Sequence, residues 1–425
     1  MRNYIYIFFA LVLSACKVTP EIDIDDTGTF YKMYGEALDE VAYDVAETQE
    51  GGFLVAGSAK ELYLDTITGS EEEREVSYLT KTDKLGNLIW KKKYKGQAIK
   101  SIAKANDGWY LGIDTLVVLD NYDYLLTKID NEGNELWTKK LPATLGVNEK
   151  VKKVLFVENE IFLLGNVENK ISDDITLNSI YGFRLDAEGN ILSVISYGLA
   201  QIPTQSTAAS KRPTYLGNII IDTFSEAKYL VFTGSTLKQG DSKLDALLGV
   251  LERSSALPVD APFFEEVNDD VGEDVQLTRD KGYIICGTTN SFGNGGKDIY
   301  LLKLNISRDN VGRPEDINET SIAWEKTLGG GGDDQGKSVY PTTDGGYLVL
   351  GNIATSTSGI DIYLAKLDAS GNMLWEKFFG GDRNDQAKIV KELSNGDILI
   401  FGTINFENND MLTLIRTNKL GELVQ

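Results

Sequence analysis

The chain has 425 residues, 42% of them hydrophobic and 25% charged, a balance that indicates neither a disordered nor a membrane-spanning protein. Its 64 acidic residues outnumber its 42 basic ones. A surface with this excess of negative charge repels phosphate backbones, so we expect no nucleic-acid partner. The sequence contains no histidine, which excludes Ser-His-Asp and Cys-His catalysis and every imidazole metal ligand.

The first fifteen residues differ from the rest. Arg2 supplies a positive charge near the N-terminus, and residues 4–13 form an apolar stretch too short to span a bilayer. The segment ends in Leu13-Ser14-Ala15-Cys16. This pattern predicts a secretory signal peptide over residues 1–15. Its last four residues resemble the lipobox of bacterial lipoproteins, which implies cleavage before Cys16 and a lipid anchor on that cysteine. The alternative is an ordinary signal peptide with a cysteine there by chance.

A short acidic segment containing a proline follows Cys16, and we interpret residues 16–29 as a solvated tether. Acidic residues at this place resemble those of surface-exported lipoproteins of the Bacteroidota. We therefore expect the protein on the outer membrane, facing the cell surface rather than the periplasm. The other cysteine, Cys286, lies in an apolar run, which predicts a buried thiol without a disulfide partner.

From residue 30 onwards the chain repeats itself. The clearest copy, residues 334–381, has four β-rich runs separated by Gly, Asp and Asn turns, as in a four-stranded antiparallel meander. One such sheet exposes two apolar faces and can bury neither alone, whereas sheets stacked around an axis bury both. A second run ending in glycine occurs in seven copies, at residues 53–57, 109–112, 161–165, 230–234, 283–287, 347–351 and 398–402. A tryptophan begins the fourth run at Trp90, Trp137, Trp324 and Trp375. The sequence therefore predicts an all-β fold, a seven-bladed β-propeller over residues 30–425.

The two ends of the chain predict how this ring closes. The last copy stops where its fourth strand should begin, and residues 30–35 align without gaps on residues 375–380. The N-terminal strand should therefore pair in the last blade. The repeats resemble SBBP-type and related bacterial β-propeller repeats, which combine an aromatic strand, Gly-Gly, a downstream Asp and an Asp-x-x-Gly turn. The resemblance covers about residues 30–425, is weakest in the fourth copy, and implies a fold rather than a function.

Aspartates recur a few residues after the fourth strand, at Asp39, Asp270, Asp334 and Asp385. A ring of carboxylates on one face can bind Ca²⁺ through oxygen ligands. Equal spacing in each repeat favours a turn-forming role instead, with each aspartate accepting backbone hydrogen bonds. Two further carboxylates stand beside this series, so the candidate Ca²⁺ ligands are Asp333, Asp334, Asp382 and Asp385. We expect no other cofactor.

Three insertions interrupt the repeat, at residues 61–75, 202–216 and 308–319, and are either functional loops or rim loops without a function. No catalytic constellation stands out, and no catalytic residue is assigned. We expect a non-catalytic binding or scaffold module at the cell envelope, whose loops on one face engage an envelope protein or glycan. One alternative is a carbohydrate-active enzyme, a glycosidase or lyase that uses Asp and Glu carboxylates. The other is a structural envelope component.

Overall fold

The computed structural model describes residues 28–35, 38–64, 70–118, 121–142, 148–172, 175–198, 214–225, 229–237, 243–253, 258–260, 263–264, 268–308, 320–355, 359–381 and 383–424. These residues form 29 β-strands in seven antiparallel sheets. The predicted seven-bladed propeller is thereby confirmed. Within the same ranges, no helix has the length and apolar character needed to cross a membrane.

The strands follow the chain blade by blade after β1 (Phe30–Tyr34). Blade I contains β2 (Glu40–Glu47), β3 (Phe53–Leu64), β4 (Glu71–Thr82) and β5 (Leu88–Tyr94). Blade II contains β6 (Ala98–Lys104), β7 (Trp109–Val118), β8 (Asn121–Ile129) and β9 (Glu135–Lys140). Blade III contains β10 (Asn148–Val157), β11 (Glu160–Ser172), β12 (Ile175–Asp186) and β13 (Ile191–Gly198).

Blade IV departs from the pattern because two short segments share the place of its outer strand. It contains β14 (Thr214–Asp222), a 3-10 turn (Thr223–Ser225), β15 (Tyr229–Leu237), β16 (Leu244–Glu252), and then β17 (Pro258–Asp260) and β18 (Phe263–Phe264), which both pair with β16. Blade V contains β19 (Asp270–Leu277), β20 (Tyr283–Thr289), β21 (Asp298–Asn305) and β22 (Ser321–Leu328). Blade VI contains β23 (Gln335–Pro341), β24 (Tyr347–Thr355), β25 (Gly359–Leu367) and β26 (Met373–Phe379). Blade VII contains β27 (Gln386–Glu392), β28 (Ile398–Phe406), β29 (Asn409–Thr417) and β1.

The N-terminal strand closes the ring as predicted. β1 runs antiparallel to β29, with Phe30 opposite Arg416 and Tyr34 opposite Leu412. The order of the sheet is β1-β29-β28-β27, so β1 is the outer strand of blade VII. The last blade is therefore built from both ends of the chain.

An aromatic side chain on the fourth strand covers a turn glycine of the following blade. Trp375 lies over Gly421, where an added Cβ would come within 2.8 Å of the indole, and Gly421 has a φ of 73°. Phe30 takes the tryptophan's place in the closing blade and lies over Gly86 of blade I. Contacts of this kind join blades I to II, II to III, V to VI, VI to VII and VII to I. The same contact occurs at Trp90, Trp137 and Trp324.

Seven hydrophobic clusters fill the seven interfaces between blades. The cluster between blades VII and I contains Phe30, Phe53 and Phe401, all buried. Cys286 is buried between blades V and VI, as predicted, and burial raises the pKa of its thiol. Both faces of each sheet are thus covered by neighbouring sheets.

The described parts of the three insertions have different structures. Residues 61–64 and 71–75 extend β3 and β4 into a long hairpin, in which Leu64 is opposite Glu71, rather than forming a loop. Arg308 donates to Asp222 of blade IV at 2.8 Å and to the Tyr283 hydroxyl of blade V at 3.0 Å, and so joins these two blades. The remaining parts, residues 65–69, 202–213 and 309–319, lie outside the described residues.

Candidate binding channel

A cavity of about 800 Å³ lies where the first strands of the blades meet around the propeller axis. Seven lysines and five carboxylates line it. The whole chain has the opposite balance, 42 basic against 64 acidic residues. The channel is therefore a basic space inside an acidic protein.

A β-bulge in the first strand of every blade places one residue at the wall of this channel. In β6, Ile99 is opposite Ile113 and Ser101 is opposite Gly112, which leaves Lys100 between them without a partner. A bulge leaves the extra residue unpaired and re-aims its side chain. We call the seven bulged residues the axial ring. In blade order they are Tyr43, Lys100, Lys152, Gly217, Glu273, Lys337 and Lys388, and all of them line the cavity.

The axial ring has a basic side. Tyr43 of blade I stands between Lys388 of blade VII and Lys100 of blade II, whose ammonium nitrogens lie 5.8 and 3.5 Å from the centre of its ring. These are cation–π distances. Lys337 of blade VI and Lys152 of blade III extend the series on either side. Five consecutive blades thus present a lysine or the tyrosine, and the other two present a glycine and a glutamate.

Lys388 shows how strongly the lysines affect one another. Its side chain is surrounded by the channel wall, yet it is open to the channel interior. Burial lowers the pKa of Lys388 to about 8, assisted by the positive charge of Lys152 and, more weakly, of Lys100 and Lys337. Glu273 acts in the opposite direction. The ring therefore holds its positive charges at an electrostatic cost.

The residue after each bulge connects neighbouring blades, and Asp44 is the clearest case. Its carboxylate accepts hydrogen bonds from the Ser101 hydroxyl and the Ile102 amide of blade II, both at 3.0 Å. The Lys153 ammonium of blade III lies 3.3 Å from the same oxygen. Burial alone would raise the pKa of Asp44, but Lys153 and Lys391 outweigh it and the pKa is lowered. Asp44 is therefore ionised and joins three blades.

Asp274 of blade V also accepts hydrogen bonds from two neighbouring blades. It accepts from the Ser338 hydroxyl and the Val339 amide of blade VI at 3.0 Å, and from the Asn218 amide of blade IV at 2.7 Å. Burial raises the pKa of Asp274 despite these hydrogen bonds. We call Asp44 and Asp274, with their partners, the inter-blade ties.

The other channel carboxylates are also engaged, with one exception. Asp114 accepts from the Val151 amide of blade III at 2.7 Å, and burial raises the pKa of Asp114 to about 6. Asp385 accepts from the Asn405 amide at 2.9 Å. Among the described residues, Glu273 is the channel carboxylate without a hydrogen bond or ion pair. Glycoside hydrolysis uses two carboxylates that flank the substrate, and four of the five here bind their own protein.

Two of the candidate Ca²⁺ ligands, Asp334 and Asp385, lie in turns between blades. Asp334 accepts from the Gly330 and Ala354 amides at 2.6 and 2.8 Å, and thereby connects the turn after blade V to β24 of blade VI. Asp385 makes the corresponding bonds one blade later. These are the backbone hydrogen bonds that a turn-forming role of the aspartates predicts.

Of the remaining assigned residues, Asp333 accepts from the Lys297 amide at 3.1 Å. Asp382 and the lipidation candidate Cys16 lie outside the described residues. Within the described ranges, no three His, Cys, Asp or Glu side chains are grouped so that they could hold a metal ion. Ca²⁺ binding stays a prediction.

The sequence contains a signal for the axial ring that a search for catalytic groups does not reveal. In each first strand the bulged residue stands two positions before a buried Val or Ile, for example Lys100 before Ile102 and Lys388 before Val390. Aligning all seven first strands on that residue produces a column with four lysines. A column so basic is unexpected in an acidic chain.

Comparison with known proteins supports the fold alone. The sequence matches no family profile and no curated protein. Among solved structures, the hydrazine synthase of Kuenenia stuttgartiensis aligns with a TM-score of 0.56 and 11% identity, covering 90% of this chain and 97% of that one. The Dos1 propeller aligns with a TM-score of 0.51 and 10% identity, covering 92% and 96%. At such low identity, the likeness shows a shared propeller architecture and no shared activity.

Proposed function

We propose that this protein is a lipid-anchored, non-catalytic binding protein of the outer membrane, and that its ligand occupies the axial channel. One observation carries the proposal: all seven blades direct a bulged residue into a single channel, while most channel carboxylates are used in bonds between blades. A space built by every repeat suits binding, because pockets of about 300 to 1,000 Å³ commonly hold small ligands.

The non-catalytic part follows from what the carboxylates do. Asp44 and Asp274 hold neighbouring blades together through backbone amides and hydroxyls. A general acid must instead be free to exchange a proton with a substrate. Glu273 alone cannot supply the pair that glycosidases use. This reasoning favours a binding protein over the carbohydrate-active enzyme.

The anchor is proposed from the sequence. Residues 13–16 have the lipobox pattern, and the acidic segment that follows favours the cell-surface side of the outer membrane. In a bacterial host with the lipoprotein pathway, the wild-type chain should incorporate labelled palmitate and fractionate with the outer membrane. Cys16→Ser should abolish both, and Cys286→Ser, which changes the buried thiol, should change neither. A C16S protein that still carries palmitate would contradict the anchor.

Ligand binding can be located through the reactivity of the lysines. The lipidated full chain in detergent is incubated with oligosaccharides and peptides released from its own envelope, then acetylated and analysed by mass spectrometry. We expect protection of Lys152 and Lys388, no protection of the exposed Lys419, and, from a parallel sample that is not acetylated, recovery of the ligand with unchanged mass. Protection confined to residues outside the channel would refute the binding site. A ligand recovered as cleavage products would refute the non-catalytic assignment.

A further inference from the structure

The axial ring combines four lysines in a chain whose formal net charge is −22. Lys100 is partly compensated, since its ammonium lies 3.7 Å from Asp114. In the part of the chain that the structure describes, Lys152, Lys337 and Lys388 take part in no ion pair. Like charges held together around an axis destabilise a fold. Nothing in propeller packing requires lysine at a bulge, because Tyr43 and Glu273 occupy the same position in blades I and V.

The carboxylates that might have neutralised these lysines are bound elsewhere. Asp44 pairs with Lys153, which belongs to the inter-blade tie and not to the axial ring. Asp274 bonds to hydroxyl and amide groups of blades IV and VI. The ring itself contains a single carboxylate, Glu273, in blade V. Lys152, Lys337 and Lys388 thus face the channel without an ion pair among the described residues, while Asp44 and Asp274 bond to the channel wall.

The distribution of charge around the axis is uneven. Blades VI, VII, II and III carry the lysines, with Tyr43 of blade I in the middle of this series. Blade IV carries Gly217, which has no side chain and packs against the backbone of Gly272, and blade V carries Glu273. A ligand with its acidic groups on one side would meet the lysines there. Its remaining part would face the blades that carry no lysine.

We propose that the axial ring is a binding site for an anion that carries two or more acidic groups, carboxylates or phosphates, and that Lys100, Lys152, Lys337 and Lys388 hold it. The inference rests on the proposed function, since it names the class of ligand for the same channel. An ammonium paired with an acidic group forms a charge-assisted hydrogen bond. The bound anion also removes the repulsion between the lysines. The basic series is therefore the recognition surface, and Tyr43 keeps two of its members apart.

Calorimetric titration of the lipidated full chain in detergent tests this with defined probes. Trigalacturonate supplies carboxylates, inorganic tripolyphosphate supplies phosphates, and maltotriose is a neutral control. We expect at least one anion to bind, with an affinity that falls as salt is added, and maltotriose to bind far more weakly. The anion that binds more tightly shows whether the site prefers carboxylates or phosphates. Equal binding of maltotriose, or no binding of either anion, would overturn the proposal.

Substitutions separate the role of the ring from the net charge of the protein. Lys388→Met should weaken anion binding about tenfold or more, because a hydrogen bond to a charged group is lost. Lys419→Met removes the same charge from an exposed turn and should leave the affinity within about twofold. K388M should also raise the urea midpoint of the unliganded protein, because it relieves repulsion. Should K388M fold poorly, Lys152→Met serves the same purpose. Unchanged affinity in the folded variant would overturn the proposal.

The two proposals fail in different ways. If envelope ligands protect the channel lysines from acetylation but neither anion binds, the channel is a binding site and the anion inference alone is wrong. If nothing protects these lysines, the proposed function is wrong as well.

Discussion

Replacing Phe30 with alanine tests whether the N-terminal strand holds the propeller closed. The Phe30 side chain is only 3% exposed; its ring lies 6.3 Å from that of Phe53 and covers Gly86 of blade I. Phe30→Ala therefore empties part of the interface between the first and last blades. Burial this complete corresponds to a loss of about 3–5 kcal/mol in the free energy of unfolding. Urea denaturation followed by tryptophan fluorescence should show this as a lower midpoint.

A matched substitution and a local measurement complete the Phe30 test. Phe406→Ala removes the same ring from the same blade at a site that is 37% exposed, and should lose less stability than F30A, because the ring buries less apolar surface. In F30A, the β29 amides that pair with β1 should exchange hydrogen faster than in the wild type. A loss below about 1 kcal/mol with unchanged exchange would refute the reasoning, since β1 would then be an edge strand that the ring does not need.

Two further substitutions test the blade contacts and the channel carboxylates. Gly421→Ala places a methyl group against Trp375 at a φ of 73°, whereas Gly396→Ala places one in open space at a φ of 86°. G421A should therefore lose more stability in urea than G396A. Equal losses would mean that the indole contact is unimportant. Burial raises the pKa of Asp114 from 3.8 to about 6, so the folded state binds the extra proton and its stability falls as pH rises from about 4 to about 6. Asp114→Asn removes this titration. The stability of the D114N variant relative to wild type should therefore rise by about 2–3 kcal/mol between pH about 4.5 and about 7.5. A stability difference that does not depend on pH would contradict a buried carboxyl at Asp114.

The sequence predicted the strands and the closure because both depend on local patterns. Residues 347–351 and their six counterparts are short apolar runs bounded by Gly and Asp turns, and such patterns indicate strands. The closure needed only the comparison of residues 30–35 with residues 375–380. The repeat pattern of blade IV is weak in the sequence. In the structure this blade is irregular, because β17 and β18 replace one outer strand.

The channel depends on relations between strands, which a single segment does not reveal. In a regular strand, alternation assigns each side chain to a face, but a bulge shifts this assignment by one residue. The orientation of Lys388 follows only from the pairing of Ala387 with Gly402 and of Ile389 with Phe401. The ion pair of Arg308 with Asp222 joins residues 86 positions apart and leaves no pattern in the sequence. Such features require the assembled ring.

The seam in blade VII affects how the protein is made. Phe53 and Val55 of blade I share a hydrophobic cluster with Leu412 and Leu414 of β29, which is synthesised after the other six blades. Until β29 emerges, one apolar face of blade I has no cover, although its own four strands are already complete. Partly made chains with such faces aggregate and recruit chaperones. During synthesis, the first blade is therefore the blade whose apolar face stays uncovered longest.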